Sequence, residues 1–373
     1  MQSCVYLCKK DAACLFRQTG LCLRLEPIAE PIAAVMNIPL TRRRFFALAA
    51  VTASAVAVPL WFSGRERPSA KQQADGGQDF VAWQGIALGS GAQIRLYHED
   101  HAFAEAVIRK ALAEVARLEK IFSLYREDSE ISRLNREGRL HYPSTDMLAV
   151  LSLAGRLYRL TDGAFDPSIQ PLWNAYADFF RRNPDAVTPP PETEVNRALR
   201  LVGFDKVAFD SQAVTFAERG MGLSLNGIAQ GYITDKTVEL LRKSGIRQAL
   251  VDMGEIRGLD TLGQRTWQVG IKNPQDETDV LLTVPLQNEG FATSGGYGTV
   301  FNAAETFTHL FDPRTGGAQP RYRSISVMAE SAAVADALAT AFAIMDETEI
   351  RRAAEAERAK VWLVDKTGKL MQV

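Results

Sequence analysis

The sequence predicts an α+β protein with an antiparallel-sheet core and flanking helices. Strand-like segments follow one another with short connections at residues 248–254, 266–272, 279–287 and 324–329. The segment "KVAFDSQAVTF" at 206–216 alternates around a short turn, which is the pattern of a hairpin. Consecutive parallel strands need a long crossover, whereas antiparallel strands can be joined by a tight turn. The succession of strands therefore favours an antiparallel sheet over a doubly wound parallel one.

Several segments supply the flanking helices. Apolar residues recur at helical spacing in 104–122, 144–163 and 331–345. The segment 189–203 starts with prolines and ends with a glycine, which predicts a further helix. Ser144 to Asp146 are candidate caps of the second of these helices. The segment "GLSLNGIAQGYITDKTVELLRKSG" at 222–245 predicts a strand, a glycine-containing turn and then a helix. We expect these elements to form one folded body over residues 80–373.

Composition argues against a nucleic-acid partner. The 373 residues include 43 Lys and Arg against 44 Asp and Glu, which gives a formal net charge of −1. The basic residues are scattered, and they form no stripe with interleaved aromatic residues. The 46% hydrophobic content is typical of a globular protein and is enough for a substantial core.

All four cysteines lie in an extra N-terminal segment, residues 1–35. Cys4, Cys8, Cys14 and Cys22 have a spacing that fits neither a zinc site nor a usual iron–sulfur site. The segment matches no known signal, and Met36 is an alternative start of translation that would remove it. The rest of the chain has no thiol chemistry, which suits an oxidising compartment.

Residues 36–79 are interpreted as a twin-arginine export signal followed by a linker. The stretch "TRRRFF" at 41–46 precedes an apolar run at 47–62, which is short for a membrane span. Residues 63–79 are rich in Gly, Ser, Gln and charge, as linkers are. We therefore predict a periplasmic protein, and an uncleaved signal that anchors it to the inner membrane is the alternative.

Two patterns suggest chemistry. Asp336 and Thr340 are four residues apart in a predicted helix, so they share one face and offer the oxygen ligands that Mg²⁺ prefers. The alternative is an Asp and a Thr on a solvated helix surface. Gly227 and Gly231 flank the start of another predicted helix, where free backbone N–H groups favour a phosphate. The alternative there is a simple corner between a strand and a helix.

The stretch "THLFDPRTGG" at 308–317 combines His309, Asp312 and Arg314 with a glycine pair. Taken alone, it fits a polar turn as well as a chemical site. The same holds for "TDGAFDPS" at 161–168 and "FATSGGYG" at 291–298.

Taken together, the motifs resemble the ApbE family of FAD:protein FMN transferases. The matching runs are Phe122–Asn135, Thr161–Pro167, Gly227–Tyr232, Leu250–Gly254, Thr293–Tyr297, His309–Gly316 and Ala335–Ala341. They occur in the family's order and span about residues 80–350. The resemblance implies an α+β fold related to the tunnelling folds. It also implies an enzyme that moves FMN from FAD to a Thr or Ser hydroxyl of an exported acceptor flavoprotein, with release of AMP.

The resemblance also implies the site. Mg²⁺ is expected at the carboxylate of Asp336, the hydroxyl of Thr340 and the backbone carbonyl of Gly227. FAD contacts are expected at Leu88, Tyr125, Ala164, Phe165, Asp166, Ser224, Gln230 and Phe311. His309 has a suitable ordinary pKa for a general base, and Asp312 and Asp336 are the other candidates for that role. Asp336 thus counts as a catalytic as well as a metal residue.

The sequence departs from the family pattern at two charged positions. An Asp and a Lys of the family motif are replaced here by Ser224 and Gln230, and loss of the Lys removes a contact to the pyrophosphate. The residues "NGIAQGYITD" and "VDMGEI" resemble the NosX-like branch, which serves the flavoproteins of nitrous oxide respiration. A non-catalytic periplasmic flavin-binding or flavin-delivery protein is the alternative. A periplasmic solute-binding protein is disfavoured by the hairpin-rich pattern.

Overall fold

A computed structural model describes residues 80–373, except for residue 88. The extra N-terminal segment, the predicted export signal and the linker lie outside the described residues. Within the described part, no helix combines the length and the apolar character that crossing a membrane requires. The apolar run at 47–62 lies outside the described residues, so the signal and the anchor alternative stay predictions.

An antiparallel sheet of eight strands forms the centre of the described fold. Its strands are β1 (Val81–Ala87), β2 (Ser90–Tyr97), β6 (Gln248–Asp252), β7 (Ile256–Asp260), β10 (Gly290–Gly295), β11 (Ser324–Ala329), β12 (Lys360–Val364) and β13 (Leu370–Gln372). They lie across the sheet in this same order, and every neighbouring pair is antiparallel. The predicted antiparallel-sheet core is confirmed.

Two smaller sheets complete the strand content of the described residues. β3 (Arg139–His141), β4 (Val207–Phe209) and β5 (Ala213–Phe216) form one, in the order β3-β5-β4. β8 (Trp267–Asn273) and β9 (Asp276–Leu286) form the other. The β4–β5 pair is the hairpin that the alternating pattern at 206–216 predicts.

The helices flank these sheets. They are α1 (His101–Phe122), α2 (Glu130–Glu137), α3 (Thr145–Leu160), α4 (Gln170–Arg182), α5 (Glu192–Leu199), α6 (Ala229–Lys243), α7 (Ala332–Phe342) and α8 (Glu347–Ala356). The helices predicted from apolar spacing are α1, α3 and α7, the helix predicted between the prolines and the glycine of 189–203 is α5, and the helix predicted after the glycine turn is α6. Ser144 caps α3 as expected, because its hydroxyl accepts a hydrogen bond from the Met147 N–H at 3.1 Å.

The strand predicted ahead of α6 is wrong. Residues 221–225 run without strand pairing. The amide of Asn135 replaces a neighbouring strand: its Oδ1 accepts from the Leu223 N–H at 2.7 Å, and its Nδ2 donates to the Leu223 carbonyl at 2.8 Å. The Ser224 N–H donates to the Pro167 carbonyl at 2.7 Å. These backbone groups are satisfied by a side chain and a turn, so the segment needs no strand partner.

Helices α6 and α7 cross at close range. A Cβ atom at Gly231 would lie 2.3 Å from the Ala332 carbonyl oxygen, so the crossing requires glycine. Asp235 of α6 accepts hydrogen bonds from the N–H groups of Ala332 and Ala333 at 2.9 and 3.0 Å and so fixes the start of α7. α6 packs on β6 and β7, and α7 packs on β10 and β11. Both helices therefore lie against the central sheet, and α7 is almost entirely buried.

A second apolar cluster joins α4 and α5 to the loop that follows β10. Its buried members are Leu172, Tyr176, Phe180, Ala198, Val202, Phe307, Phe311 and Ala318. The rings of Tyr176 and Phe311 meet edge to face with their centroids 5.1 Å apart. The Tyr176 hydroxyl donates to the Gly316 carbonyl at 2.9 Å. This cluster positions the stretch 308–317.

Candidate active site

The structure brings together the three residues predicted to bind a metal. Gly227 lies against α7, because a Cβ atom there would be 2.8 Å from the Thr340 Oγ1 atom. One turn earlier on α7, the Asp336 Oδ2 atom accepts a hydrogen bond from the Gly231 N–H at 3.1 Å. The turn before α6 and one face of α7 therefore supply a carbonyl, a hydroxyl and a carboxylate. These are hard oxygen donors, which suit Mg²⁺.

Asp336 lies in the interior, with only 4% of its surface exposed. The solvated helix surface that the sequence left open is therefore wrong. Burial raises the pKa of Asp336 to about 7, the Gly231 N–H opposes that rise, and the nearby Asp235 carboxylate adds to it. Among the described residues, Gly231 alone donates a hydrogen bond to this carboxylate. A buried carboxylate with one hydrogen bond is well suited to a cation, which would compensate its charge.

A second buried acid, Glu255, lies near Asp336 and was not predicted from the sequence. Glu255 is the last residue of the turn between β6 and β7. Its carboxylate is near those of Asp336 and Asp252. Burial, together with repulsion by these two carboxylates, raises the pKa of Glu255 well above its ordinary value. The "VDMGEI" run contains Glu255, but a single Glu in a hairpin has no pattern that marks it as functional.

Two of the motifs that carry the family resemblance meet at Gln230, together with the start of β2. Its side-chain amide donates a hydrogen bond to the Ser90 Oγ atom at 3.3 Å. A Cβ atom at Gly254 would lie 2.8 Å from the Gln230 Nε2 atom. Gln230 therefore links the first turn of α6 to the start of β2 and to the β6–β7 turn. Its predicted place in the first helical turn is confirmed.

The turn after α3 is built around Asp166. Its Oδ1 atom accepts hydrogen bonds from the N–H and the hydroxyl of Ser168 at 2.7 and 2.6 Å, and its Oδ2 atom accepts from the Phe204 N–H at 3.2 Å. Burial raises the pKa of Asp166, while these hydrogen bonds oppose the rise. Ala164 and Phe165 are buried in the same turn. Ser224 adjoins it through its bond to Pro167. The carboxylate thus organises the turn, and the predicted FAD contacts of these residues stay predictions.

The remaining predicted FAD residues differ in how much surface they offer. Tyr125 follows α1 and is 86% exposed, so its ring is free to stack on a flat ligand. Phe311 has its ring in the second apolar cluster, which leaves little side-chain surface for FAD. Leu88 lies outside the described residues.

His309 lies in a loop that turns back on itself. Its N–H donates to the Thr299 carbonyl at 3.1 Å, and its ring Nδ1 atom is also 3.1 Å from that carbonyl. The Thr299 N–H also lies 3.3 Å from Nδ1, so the two backbone groups of Thr299 fit either tautomer of the ring. Burial lowers the pKa of His309. The ring is therefore neutral near pH 7, as a general base must be.

The acids and bases after His309 are structural. Asp312 accepts from the Arg314 Nε atom at 2.9 Å, and Arg314 also reaches Glu349 at 2.9 Å. The Gly316 N–H donates to the Asp312 carbonyl at 2.7 Å and closes the turn. Asp312 is thereby engaged in an ion pair, so His309 and Asp336 are the better candidates for proton transfer.

Two features of the described residues concern the metal site and its surroundings. No group of three or more His, Cys, Asp or Glu side chains there is arranged to hold a metal ion. A metal site in this region must therefore include backbone or hydroxyl oxygens, as the Gly227, Asp336 and Thr340 set does. A cavity of about 660 Å³ lies beside α6, between residues such as Lys236 and Arg257, and no predicted FAD or Mg²⁺ residue lines it.

The antiparallel core and the oxygen-lined crossing of α6 and α7 define an α+β protein with a candidate divalent-cation site. The chain belongs to the ApbE family, whose family model matches residues 88–363. A relative from Haemophilus influenzae, named FAD:protein FMN transferase, is 29% identical over 293 residues, which cover 75% of this chain and 82% of the relative. A relative of the same name from Vibrio cholerae is 30% identical over 253 residues, which cover 66% of this chain and 75% of the relative.

Solved structures agree with the fold. The flavin transferase ApbE from Vibrio cholerae matches with a TM-score of 0.68 at 26% identity, over 79% of this chain and 97% of that one. The ApbE protein from Thermotoga maritima matches with a TM-score of 0.70 at 24% identity, over the same shares of the two chains. The α+β assignment is confirmed.

Proposed function

We propose that this protein is an FAD:protein FMN transferase that depends on Mg²⁺. It transfers FMN from FAD to a Thr or Ser hydroxyl of an exported acceptor flavoprotein and releases AMP. The observation that carries the proposal is the meeting of Gly227, Asp336 and Thr340 at the α6–α7 crossing. The names of the relatives support the reaction class.

The residues of the site have separate tasks in this reaction. The acceptor oxygen bonds to the FMN-side phosphorus of FAD, the bond from that phosphorus to the AMP oxygen breaks, and the hydroxyl proton passes to the imidazole of His309. Mg²⁺ held by Asp336, Thr340 and the Gly227 carbonyl would neutralise charge on the pyrophosphate. Backbone N–H groups at the start of α6 favour the same phosphates. Phosphoryl transfer depends mainly on such positioning and charge compensation.

The direct test uses purified protein, FAD and Mg²⁺ with candidate acceptor domains. We expect AMP in solution and an increase in the acceptor's mass equal to one bound FMN. Acceptor domains from the electron-transfer flavoproteins of nitrous oxide respiration are the first choice, because of the NosX-like residues. If the protein binds FAD but releases no AMP with any of the acceptor domains, it would instead be a flavin-delivery protein.

Gln230→Lys should tighten FAD binding by about tenfold, which corresponds to about 1.4 kcal/mol. A lysine in the first turn of α6 adds a charge-assisted hydrogen bond to the pyrophosphate, where the native amide brings no charge. Turnover should gain less, because ground state and transition state share the contact. Isothermal titration with FAD measures the effect.

Gln212→Lys is the matched control for Gln230→Lys, because it adds the same charge on the exposed β4–β5 turn. The control should leave the FAD affinity unchanged. Weaker binding by Gln230→Lys would show that residue 230 does not face the phosphates. Rescue by the added Ser224→Asp change would then place both side chains in one charge-balanced site.

We also propose that the protein is exported to the periplasm by the twin-arginine route. Changing Arg42, Arg43 and Arg44 to Lys should leave the protein in the cytoplasm, because this transport requires the paired guanidinium groups. All three are changed because either adjacent pair would serve. Cell fractionation measures the outcome, and undiminished periplasmic accumulation would contradict the proposal. Deleting residues 1–35 is the control and should leave export intact.

A further inference from the structure

A buried glutamate faces the proposed metal site without a counter-ion. Glu255 is only 8% exposed, and its Oε2 atom has no hydrogen-bond partner among the described residues. The Thr293 N–H donates to its carboxylate. The charged groups that act on it most strongly are the carboxylates of Asp336 and Asp252. A buried acid with one free oxygen beside two other carboxylates is unfavourable unless a positive charge joins them.

The local backbone directs Glu255 into this place. The turn between β6 and β7 contains Gly254 with a φ angle of +100°, a left-handed conformation that favours glycine. The Asp252 Oδ1 atom accepts from the Gly254 N–H at 3.0 Å, and the Met253 N–H donates to the Glu255 carbonyl at 3.0 Å. This tight turn joins the two strands of the hairpin, and the residue that follows Gly254, Glu255, is buried.

Glu255 is also fixed to the helices that carry the proposed metal ligands. The Thr234 hydroxyl of α6 donates to the Gln230 carbonyl at 2.9 Å and lies 3.3 Å from the Glu255 carbonyl. Asp336 of α7 is the first of the charged neighbours of the Glu255 carboxylate. The free Oε2 atom thus belongs to a buried side chain whose backbone contacts α6 and whose carboxylate lies near Asp336 of α7.

We propose that Glu255 is an additional oxygen ligand of the Mg²⁺ ion held by Asp336, Thr340 and Gly227. The inference rests on the proposed function, since it assumes the metal site at the α6–α7 crossing. Two carboxylates balance the charge of a divalent cation, and Mg²⁺ is commonly held by one or two carboxylates with substrate phosphates and water.

The test measures Mn²⁺ binding to the FAD-free protein by electron paramagnetic resonance, with Mg²⁺ as competitor. Glu255→Gln removes the charge but keeps the shape, and we expect the Kd for Mn²⁺ to rise about tenfold or more. Glu255→Asp keeps the charge on a shorter side chain. Its Kd for Mn²⁺ should lie between the values of the native protein and of Glu255→Gln. Thermal melts without metal show whether each variant is folded, and Glu255→Gln should be at least as stable as the native protein.

Glu289→Gln is the matched control. Glu289 is also a turn glutamate that accepts backbone N–H bonds, from Gln287 and Asn288 at 2.9 and 3.0 Å. The Glu289→Gln protein should bind Mn²⁺ with the same Kd as the native protein. If Asp336→Asn loses Mn²⁺ while Glu255→Gln binds it normally, this inference is overturned and the proposed function stands. If Asp336→Asn binds Mn²⁺ normally, the metal site itself is wrong. Equal weakening by Glu289→Gln would also overturn the inference, because the effect would not be local.

Discussion

Replacing Asp336 with Asn is expected to slow Mg²⁺-dependent AMP release from FAD by at least about 100-fold. The change removes the anionic donor of the proposed metal site, and a metal ion contributes several kcal/mol of charge stabilisation in such reactions. A loss of about 3 kcal/mol corresponds to a step about 100-fold slower. The rate of AMP release at saturating FAD and acceptor, over a range of Mg²⁺ concentrations, measures the effect.

Thr340→Val is the graded comparison, because it removes a neutral donor at the same crossing. Its loss should be smaller, about tenfold, and partly restored at high Mg²⁺. Asn at position 336 can still accept the hydrogen bond from the Gly231 N–H, so the variant should stay folded. Full activity in Asp336→Asn would contradict the metal assignment.

The pH dependence of stability gives an independent check on Asp336. Its pKa of about 7 in the folded, metal-free protein lies above the ordinary value of 3.8 that it has when unfolded. Between these values the folded protein binds more protons, so the free energy of unfolding should fall as the pH rises from about 4 to about 7. Asp336→Asn should show a shallower fall in chemical denaturation experiments without metal.

The metal residues could be predicted in part because helical spacing is visible in a sequence. Asp336 and Thr340 are four residues apart, and the structure places both beside the start of α6. The Ala-rich and apolar flanks of this helix indicate burial, but the long-range contact that produces the burial is not visible in the sequence. The close approach of Gly231 to Ala332 decides it, and neither residue reveals that approach through its own neighbours in the chain.

Other features depended on contacts that no local pattern encodes. The strand predicted before α6 failed because Asn135, far away in sequence, bonds both backbone groups of Leu223. Asp312 looked available for catalysis until Arg314 was seen to pair with it. Glu255 was missed for the opposite reason, since its importance lies in the partner that it lacks. Tertiary structure therefore decides which polar residues are already engaged and which are left to bind a ligand.

His309→Ala is expected to reduce FMN transfer by about 100-fold to 10,000-fold, the range typical of a lost general base. The structure supports this role, because the backbone of Thr299 holds the ring at Nδ1 and burial keeps the imidazole neutral. The affinity for FAD should change little, since the proton is transferred only during the reaction. The rate of covalent FMN attachment, followed by mass spectrometry, measures the loss.

The pH profile separates a base from a structural histidine. Burial places the pKa of His309 below its ordinary value of 6.5, so activity should be present above that pH and decline as the ring is protonated at lower pH. His309→Ala should lack this decline, and added imidazole should restore part of the rate. His141→Ala is the matched control, because His141 is exposed on β3, and it should retain full activity. If the His309 variant lost FAD binding in proportion to its rate and ignored imidazole, the residue would support the loop and not the chemistry. Its bond to Thr299 would then be its whole contribution.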